Sequence, residues 1–291
     1  MKLRRVLPHG RTIEQIKNHY EVEKRIADRI RTADREARKQ LYHTVYTDLF
    51  SKVPDHPRLV RRSSEVLTER LNRNKLRLLS GHLNRSDILA EFAPGDCRFA
   101  MLVAEHVHKV YGVDISDQRA DGIAFPENFK LIVYDGYSLE QVKDASIDLA
   151  FSDQLIEHLH PEDTTCHFDL VHRILKPGGS YIFRTPHAIS GPHDISRYFC
   201  DRPEGLHLKE WTFTELHTVI CGVGFSHFAT YWCAGPFILR VPKPHFFVLE
   251  RLLAGVSRQH LRPVLRLLFP SVTAIATKTQ QSATPAGRRL R

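Results

Sequence analysis

The chain has 291 residues, a net charge of +9 and an apolar fraction of 42%, enough for one large globular domain with a substantial appendage. No apolar run approaches the roughly 20 residues of a membrane span, and the first eight residues hold too short an apolar stretch for a secretory leader. Five scattered cysteines without a C-x-x-C pair read as reduced thiols rather than a disulfide framework, so a cytoplasmic location is expected.

Charge is uneven along the sequence. Residues 1–80 hold 20 Lys+Arg against 10 Asp+Glu, and residues 278–291 hold Lys278, Arg288, Arg289 and Arg291 with no acid. Basic ends on a mildly acidic body suit either anionic partners or solvated helix faces. Residues 11–80 read as helices. Ile13, Ile16, Tyr20, Ile26 and Ile30 recur mostly at helical steps, and Tyr42, Tyr46 and Phe50 run beside a Leu41, Val45, Leu49 stripe. Pro54 and Pro57 break the chain, and a third helix is predicted over 59–79.

From Ile88 the pattern changes. Ile88 to Phe92 is a short buried strand, Ala93-Pro94-Gly95-Asp96 a turn, and Phe99 to His106 a helix. Val110 to Val113 is a second strand ending on Asp114, 23 residues after Glu91. A strand, a glycine turn, a helix and an acid at this distance hold an adenosine-type ribose in a doubly wound sheet. Phe129 to Tyr134 is a third strand, running into Asp135-Gly136. Ser146 to Phe151 is a fourth, followed by Ser152-Asp153-Gln154-Leu155-Ile156-Glu157-His158-Leu159. A helix starts after Pro161, and Lys176-Pro177-Gly178-Gly179 turns it into a fifth strand at Tyr181 to Phe183. Residues 185–210 form a long loop. Thr212 and Glu215 have capping-box spacing, Phe225 to Trp232 alternates as a strand, and two short apolar, basic helices fill 245–269 with a break near Ser257. Val272 to Thr277 closes the fold, and 278–291 reads as a disordered basic tail.

Glu91-Phe92-Ala93-Pro94-Gly95-Asp96-Cys97 resembles the first motif of the class I, Rossmann-like S-adenosylmethionine-dependent methyltransferases, in which an acid is followed by three alternate glycines. Only Gly95 of the three is kept, and Cys97 suggests a position without positive φ. The Glu157-His158-Leu159 run and Arg173-Ile174-Leu175-Lys176-Pro177-Gly178-Gly179 are similar to later motifs of the small-molecule (type 11 and 23) members, and the likeness covers about residues 86–186. It implies an α/β fold: a doubly wound, seven-stranded, mostly parallel sheet with an antiparallel edge strand, plus an N-terminal helical extension. Residues 1–80 would be that extension and a substrate cap, 81–277 the methyltransferase domain with a lid at 185–210 and a helical insertion at 245–269, and 278–291 the tail. The cofactor implied is S-adenosyl-L-methionine. Glu91, Ala93, Gly95, Asp96, Asp114, Ile115, Ser116, Asp135, Gly136, Asp153 and Gln154 are the positions implied to bind it.

Transfer of methyl to oxygen needs alignment and a base for the departing proton. His187, His193 and His207 in the loop are the candidates, with Asp194 as an orienting partner. Ser152-Asp153-Gln154-Leu155 is not the Asn/Asp-Pro-Pro-aromatic motif of nucleic-acid N-methyltransferases, and no Pro-Cys follows the fourth strand. An oxygen on a small-molecule or saccharide-type acceptor is therefore expected. Quinone-directed relatives with Glu-x-x-Glu-His at this point bind a divalent cation; Gln154 replaces the first acid, and no metal is expected. The competing expectations are an RNA-modifying enzyme using the basic helices and a non-catalytic subunit of the same fold. A homodimer through 245–269 is a further expectation.

Overall fold

The computed structural model describes residues 3–119, 124–256 and 261–280. Its helical extension is built from capped segments. Helix α1 (Ile13–Thr32) starts on a capping box between Thr12 and Gln15, and α2 (Arg35–Lys52) on Asp34, whose carboxylate accepts the Ala37 N–H. The single helix predicted over 59–79 is two helices, α3 (Pro57–Arg62) and α4 (Glu65–Ser80). Ser64 restarts the chain by accepting the Leu67 N–H, a side chain competing with the backbone as serine does at helix ends.

The sheet has eight strands: β1 (Ile88–Phe92), β2 (Lys109–Asp114), β3 (Phe129–Val133), β4 (Ile147–Asp153), β5 (Leu175–Thr185), β6 (Phe225–Ala234), β7 (Phe237–Val241) and β8 (Val272–Lys278). Their order is β3-β2-β1-β4-β5-β8-β6-β7. Strands β1 to β5 pair in parallel, β8 runs antiparallel between β5 and β6, and β7 hangs antiparallel on β6. The strand beyond the seven expected is β7, joined to β6 through Gly235-Pro236 with Gly235 at φ +57°. Helices α5 (Arg98–Ala104), α6 (Thr164–Ile174), α7 (Phe213–Val223), α8 (Lys243–Leu253) and α9 (Arg262–Leu268) complete the fold. Strand β5 begins before the Lys-Pro-Gly-Gly run, which bulges against Ile147 to Leu149 instead of preceding the strand.

Two apolar cores cover the two faces of the sheet, one around Phe92, Phe168, Tyr181 and Phe183, the other around Leu79, Phe99 and Phe151. The parallel order reverses direction between β1 and β4, which opens a crevice at their carboxyl ends. Residues 185–210, read as a lid, are packed under the extension: Leu206 and Leu208 join Val22, Ile26 and Leu49 in a third core. Buried Glu23 ties the two together. It lies 2.7 Å from His19 Nε2 and 3.6 Å from His56 Nε2, and it accepts the Leu206 N–H at 3.1 Å. His19 Nδ1 faces Arg11 Nη1 at 3.0 Å and His56 Nδ1 accepts the Arg58 N–H at 3.1 Å, so both imidazoles carry their proton on Nε2 toward Glu23. That arrangement makes a hydrogen-bond node rather than a set of open metal ligands. The break near Ser257 and most of the predicted tail lie outside the described residues. Glu23→Leu should lower the stability to urea by about 3 kcal/mol, because the buried His19 Nε2–H and Leu206 N–H lose their acceptor, and should open 185–210 to limited proteolysis.

Candidate active site

The turn after β1 keeps a left-handed backbone at all three alternate positions: Ala93 has φ 56°, Gly95 60° and Cys97 63°. The expectation that Cys97 avoids positive φ is therefore wrong. Non-glycine residues there carry roughly 1–2 kcal/mol of strain each. With Gln154 at φ 61° after β4, three of the four described non-glycine residues with positive φ flank the crevice. What holds the turn is Asp114 at the end of β2. Its Oδ2 accepts the Gly95 N–H at 3.1 Å and its Oδ1 the Ile115 N–H at 2.8 Å. Burial raises the Asp114 pKa while these N–H groups pull it back.

A cavity of about 500 Å³ occupies the crevice, within the usual range for ligand sites of ~300–1,000 Å³. Of the implied cofactor positions, Ala93, Gly95, Asp96, Asp114, Ile115, Gly136, Asp153 and Gln154 line it. Three do not. Glu91 is buried beneath the turn, with Oε2 unpartnered and its pKa pushed by burial to about 8. Ser116 contributes its N–H to Asp114 at 3.4 Å. Asp135 turns its carboxylate onto the N–H groups of Tyr137 (2.8 Å) and Ser138 (2.7 Å), closing an Asp-Gly turn. Asp153 is held well below the carboxylate range, against burial, by a two-point pair with Arg184 at 2.7 and 2.8 Å and by Lys75 at 3.5 Å.

The opposite wall comes from the extension. Tyr42 and Tyr46 of α2, Arg58, Arg61 and Arg62 of α3, and Lys75 of α4 all line the cavity. Arg58 lies over the Tyr46 ring at 4.8 Å, and the Asp114 and Glu157 charges favour its protonated form. Arg62 covers the turn so closely that a Cβ on Gly95 would meet its Nη2 at 2.9 Å. The arginines escaped the sequence reading as solvated charge. Their signal was the spacing of 58, 61 and 62, which puts all three on one helix face.

The three candidate base histidines do not line the cavity. His187 is fully buried against Glu250 at 2.8 Å, and His193 Nε2 lies 2.9 Å from Ser190 Oγ. Asp194 accepts N–H groups of Ser196 and Gly205 rather than orienting an imidazole. His207 donates from Nδ1 to Glu210 at 2.8 Å. Against the pull of burial, Glu210, Glu157 and Asp194 hold its pKa up at about 9. Two other imidazoles line the cavity: His167 of α6, whose Nε2 lies 2.9 Å from the Tyr181 hydroxyl, and His158, on the 3₁₀ turn Ile156–His158. Its Nδ1 donates to the Leu206 carbonyl at 2.9 Å, which leaves the Nε2 lone pair available. Burial, with help from cationic His207 and Arg58, pushes its pKa down to about 3.

A crevice bounded by a strained turn after β1 and an acid at the end of the neighbouring β2, in a sheet of this order, is the arrangement of Rossmann-like nucleotide-cofactor folds. Residues 90–183 match the family model described as a methyltransferase domain, and no curated protein matches the chain by sequence. Among solved structures, one similar chain comes from the complex of the Haloferax volcanii Trm112 methyltransferase activator with a methyltransferase (TM-score 0.54, 15% identity, covering 73% of this chain and 92% of that one). Another is Haemonchus contortus phosphoethanolamine N-methyltransferase 1 with phosphoethanolamine and S-adenosylhomocysteine (0.53, 14%, 86% and 51%). A third is Burkholderia thailandensis 1,6-didemethyltoxoflavin-N1-methyltransferase with its acceptor and S-adenosylhomocysteine (0.50, 16%, 85% and 92%). Residues 90–183 are thus similar to a methyltransferase domain, and the chain shares the Rossmann-like fold of structures crystallised with S-adenosylhomocysteine, the product form of the S-adenosyl-L-methionine cofactor. The residues present suit it: a buried carboxylate beside a left-handed turn whose Gly95 N–H it accepts.

The His207 pair has a consequence for stability. A pKa raised from 6.5 to about 9 gives stabilisation that is complete below pH 6.5 and fades as pH rises through 9. The thermal midpoint should fall between pH 7 and 10, and His207→Gln should start lower and lose that slope.

Proposed function

We propose that the chain methylates an oxygen on a small-molecule or saccharide-type acceptor that carries an anionic group. The observation that carries this reading is the division of the cavity, with the Asp114 turn on one wall and Arg58, Arg61, Arg62 and Lys75 on the other. S-adenosylmethionine supplies a methyl already activated on its sulfonium. Asp114 accepts hydrogen bonds from the ribose, the Ala93 to Asp96 turn and Gly136 frame the nucleoside, and Asp153 and Gln154 edge the reacting end. The arginines fix the acceptor's anion by charge-assisted hydrogen bonds and so limit the poses of its hydroxyl. His158 Nε2 takes the hydroxyl proton as the methyl is transferred; burial keeps the free imidazole neutral, and the positive charge leaving the sulfonium offsets its weak basicity as the alcohol becomes an acidic oxonium.

The inward aim of these cations supports an acceptor site over an RNA-binding surface. The glycine-type backbone kept at Ala93 and Cys97 supports a working donor site over a non-catalytic subunit. Asp114→Ala should abolish donor binding in calorimetry with the fold intact by circular dichroism; retained affinity would sink the assignment. His158→Gln should lower kcat by about 10²–10⁴-fold with donor affinity unchanged, and an unchanged kcat would remove His158 from the reaction.

A further inference from the structure

The insertion between β7 and β8 is built inside out. Helices α8 and α9 bury Phe246 and Leu265 in the core, with Phe247 and Leu253 half-buried against it, and the Phe246 ring lies 6.1 Å from that of Phe269, just past α9. Glu250, one turn on from Phe246, also points inward. Its carboxylate accepts the N–H groups of Phe213 at 2.7 Å and Thr214 at 3.0 Å. The outward faces carry Val248, Leu252 and Val256, then Leu261, Val264 and Leu268, at three- and four-residue steps. Leu252 is 68% exposed and Leu267 63%. Leucine and valine thus face water where an amphipathic helix places polar groups, leaving an apolar surface without a cover among the described residues.

Beside this ridge lies an unsatisfied arginine cluster. The Arg4 N–H holds the N-terminal segment to the Tyr198 carbonyl at 2.8 Å, Arg197 lies over the Tyr198 ring at 5.0 Å, and Arg262 donates to Asp201 at 2.6 Å. Arg5 Nη2, Arg262 Nε, and Arg266 Nε and Nη2 are buried without a hydrogen-bond partner. A cluster of guanidiniums with N–H groups not taken up by carboxylates favours an anionic partner. The nearby acid, Glu210, is already engaged by His207 and the His193 N–H. Burial and the charges of Arg266, Arg262 and Arg197 push the Arg5 pKa down to about 10.

We propose that α8, α9 and the cluster of Arg5, Arg197, Arg262 and Arg266 dock on an anionic phospholipid bilayer, with a lipid phosphate among the guanidiniums and the leucine ridge in the headgroup boundary. Charge selects this occupant. Between Pro242 and Thr277 the sequence carries Lys243, Arg251, Arg258, Arg262 and Arg266 and a single acid, Glu250, which is buried. A second copy docking through the same face would set like charge against like. No helix among the described residues is long and apolar enough to cross a membrane, so the contact is one of lying on the surface. This inference is independent of the acceptor reading.

Flotation of the full chain with phosphatidylcholine vesicles, with and without phosphatidylglycerol, tests it. Binding should require the anionic lipid and weaken with salt. Arg266→Gln should lower the partition by about fivefold, the weight of one basic side chain at such a surface. Leu252→Glu with Leu267→Glu should abolish binding at an unchanged thermal midpoint, since both side chains already face water. The proposal is overturned by equal binding to neutral vesicles, by no vesicle binding at all, or by a dimer in sedimentation that the double variant turns into a monomer. It is equally overturned if inorganic phosphate raises the thermal midpoint while vesicles go unbound, which would make the cluster a site for a soluble phosphate.

Discussion

The donor half of the molecule depends on one hydrogen-bonded contact, that between the Asp114 carboxylate and the N–H of Gly95. It locks the end of β2 to the turn after β1 and holds that turn in a conformation which two of its residues, Ala93 and Cys97, disfavour. The strain is tolerable because the flanking strands are fully paired: Ala93 itself donates to the Val113 carbonyl at 2.8 Å. A backbone held so firmly presents its amides in a fixed array before any ligand arrives, which is the condition for binding without reorganisation.

The second organising constraint is electrostatic. The crevice of the sheet is acidic, with Asp96, Asp114, Asp153 and Glu157 in or behind its wall, and the extension brings Arg58, Arg62 and Lys75 against it. Arg38 extends the same pairing deeper, at 2.8 Å from Asp163, which also accepts the Tyr137 hydroxyl at 2.6 Å. The surplus positive charge of residues 1–80 is thus partly spent across an internal boundary. The extension and the sheet are held in register by Glu23 and by Arg38 as well as by apolar contact.

Much of this was legible in the sequence because it rests on local chemistry. Strand periodicity, the Asp114 spacing and the Lys-Pro-Gly-Gly run gave the parallel sheet, since each reflects a short-range demand on the backbone. Strand β7 was missed because five residues after a Gly-Pro turn look like loop, and pairing with β6 is what makes them a strand. The long helix over 59–79 was misread because Ser63 and Ser64 break it through side-chain hydrogen bonds that apolar spacing does not register. The histidines of 185–210 misled for a different reason. Loop histidines read as exposed and reactive, yet Glu250, Ser190 and Glu210 sequester them, and only tertiary contact reveals that His158 and His167 are the imidazoles lining the cavity. Gln154 and Cys97 keep left-handed backbone that residue identity alone argues against.

The cationic wall stands on α3, a six-residue helix separated from the sheet by α4 and from α2 by a proline break. On the proposed reading, recognition of the second substrate falls to a piece of chain that shares no backbone with the β1–β2 turn. Exchange of side chains at 58, 61 and 62 would then retune which molecule is accepted while leaving the hydrogen bond between Asp114 and Gly95 untouched, so the two halves of the cavity could change independently.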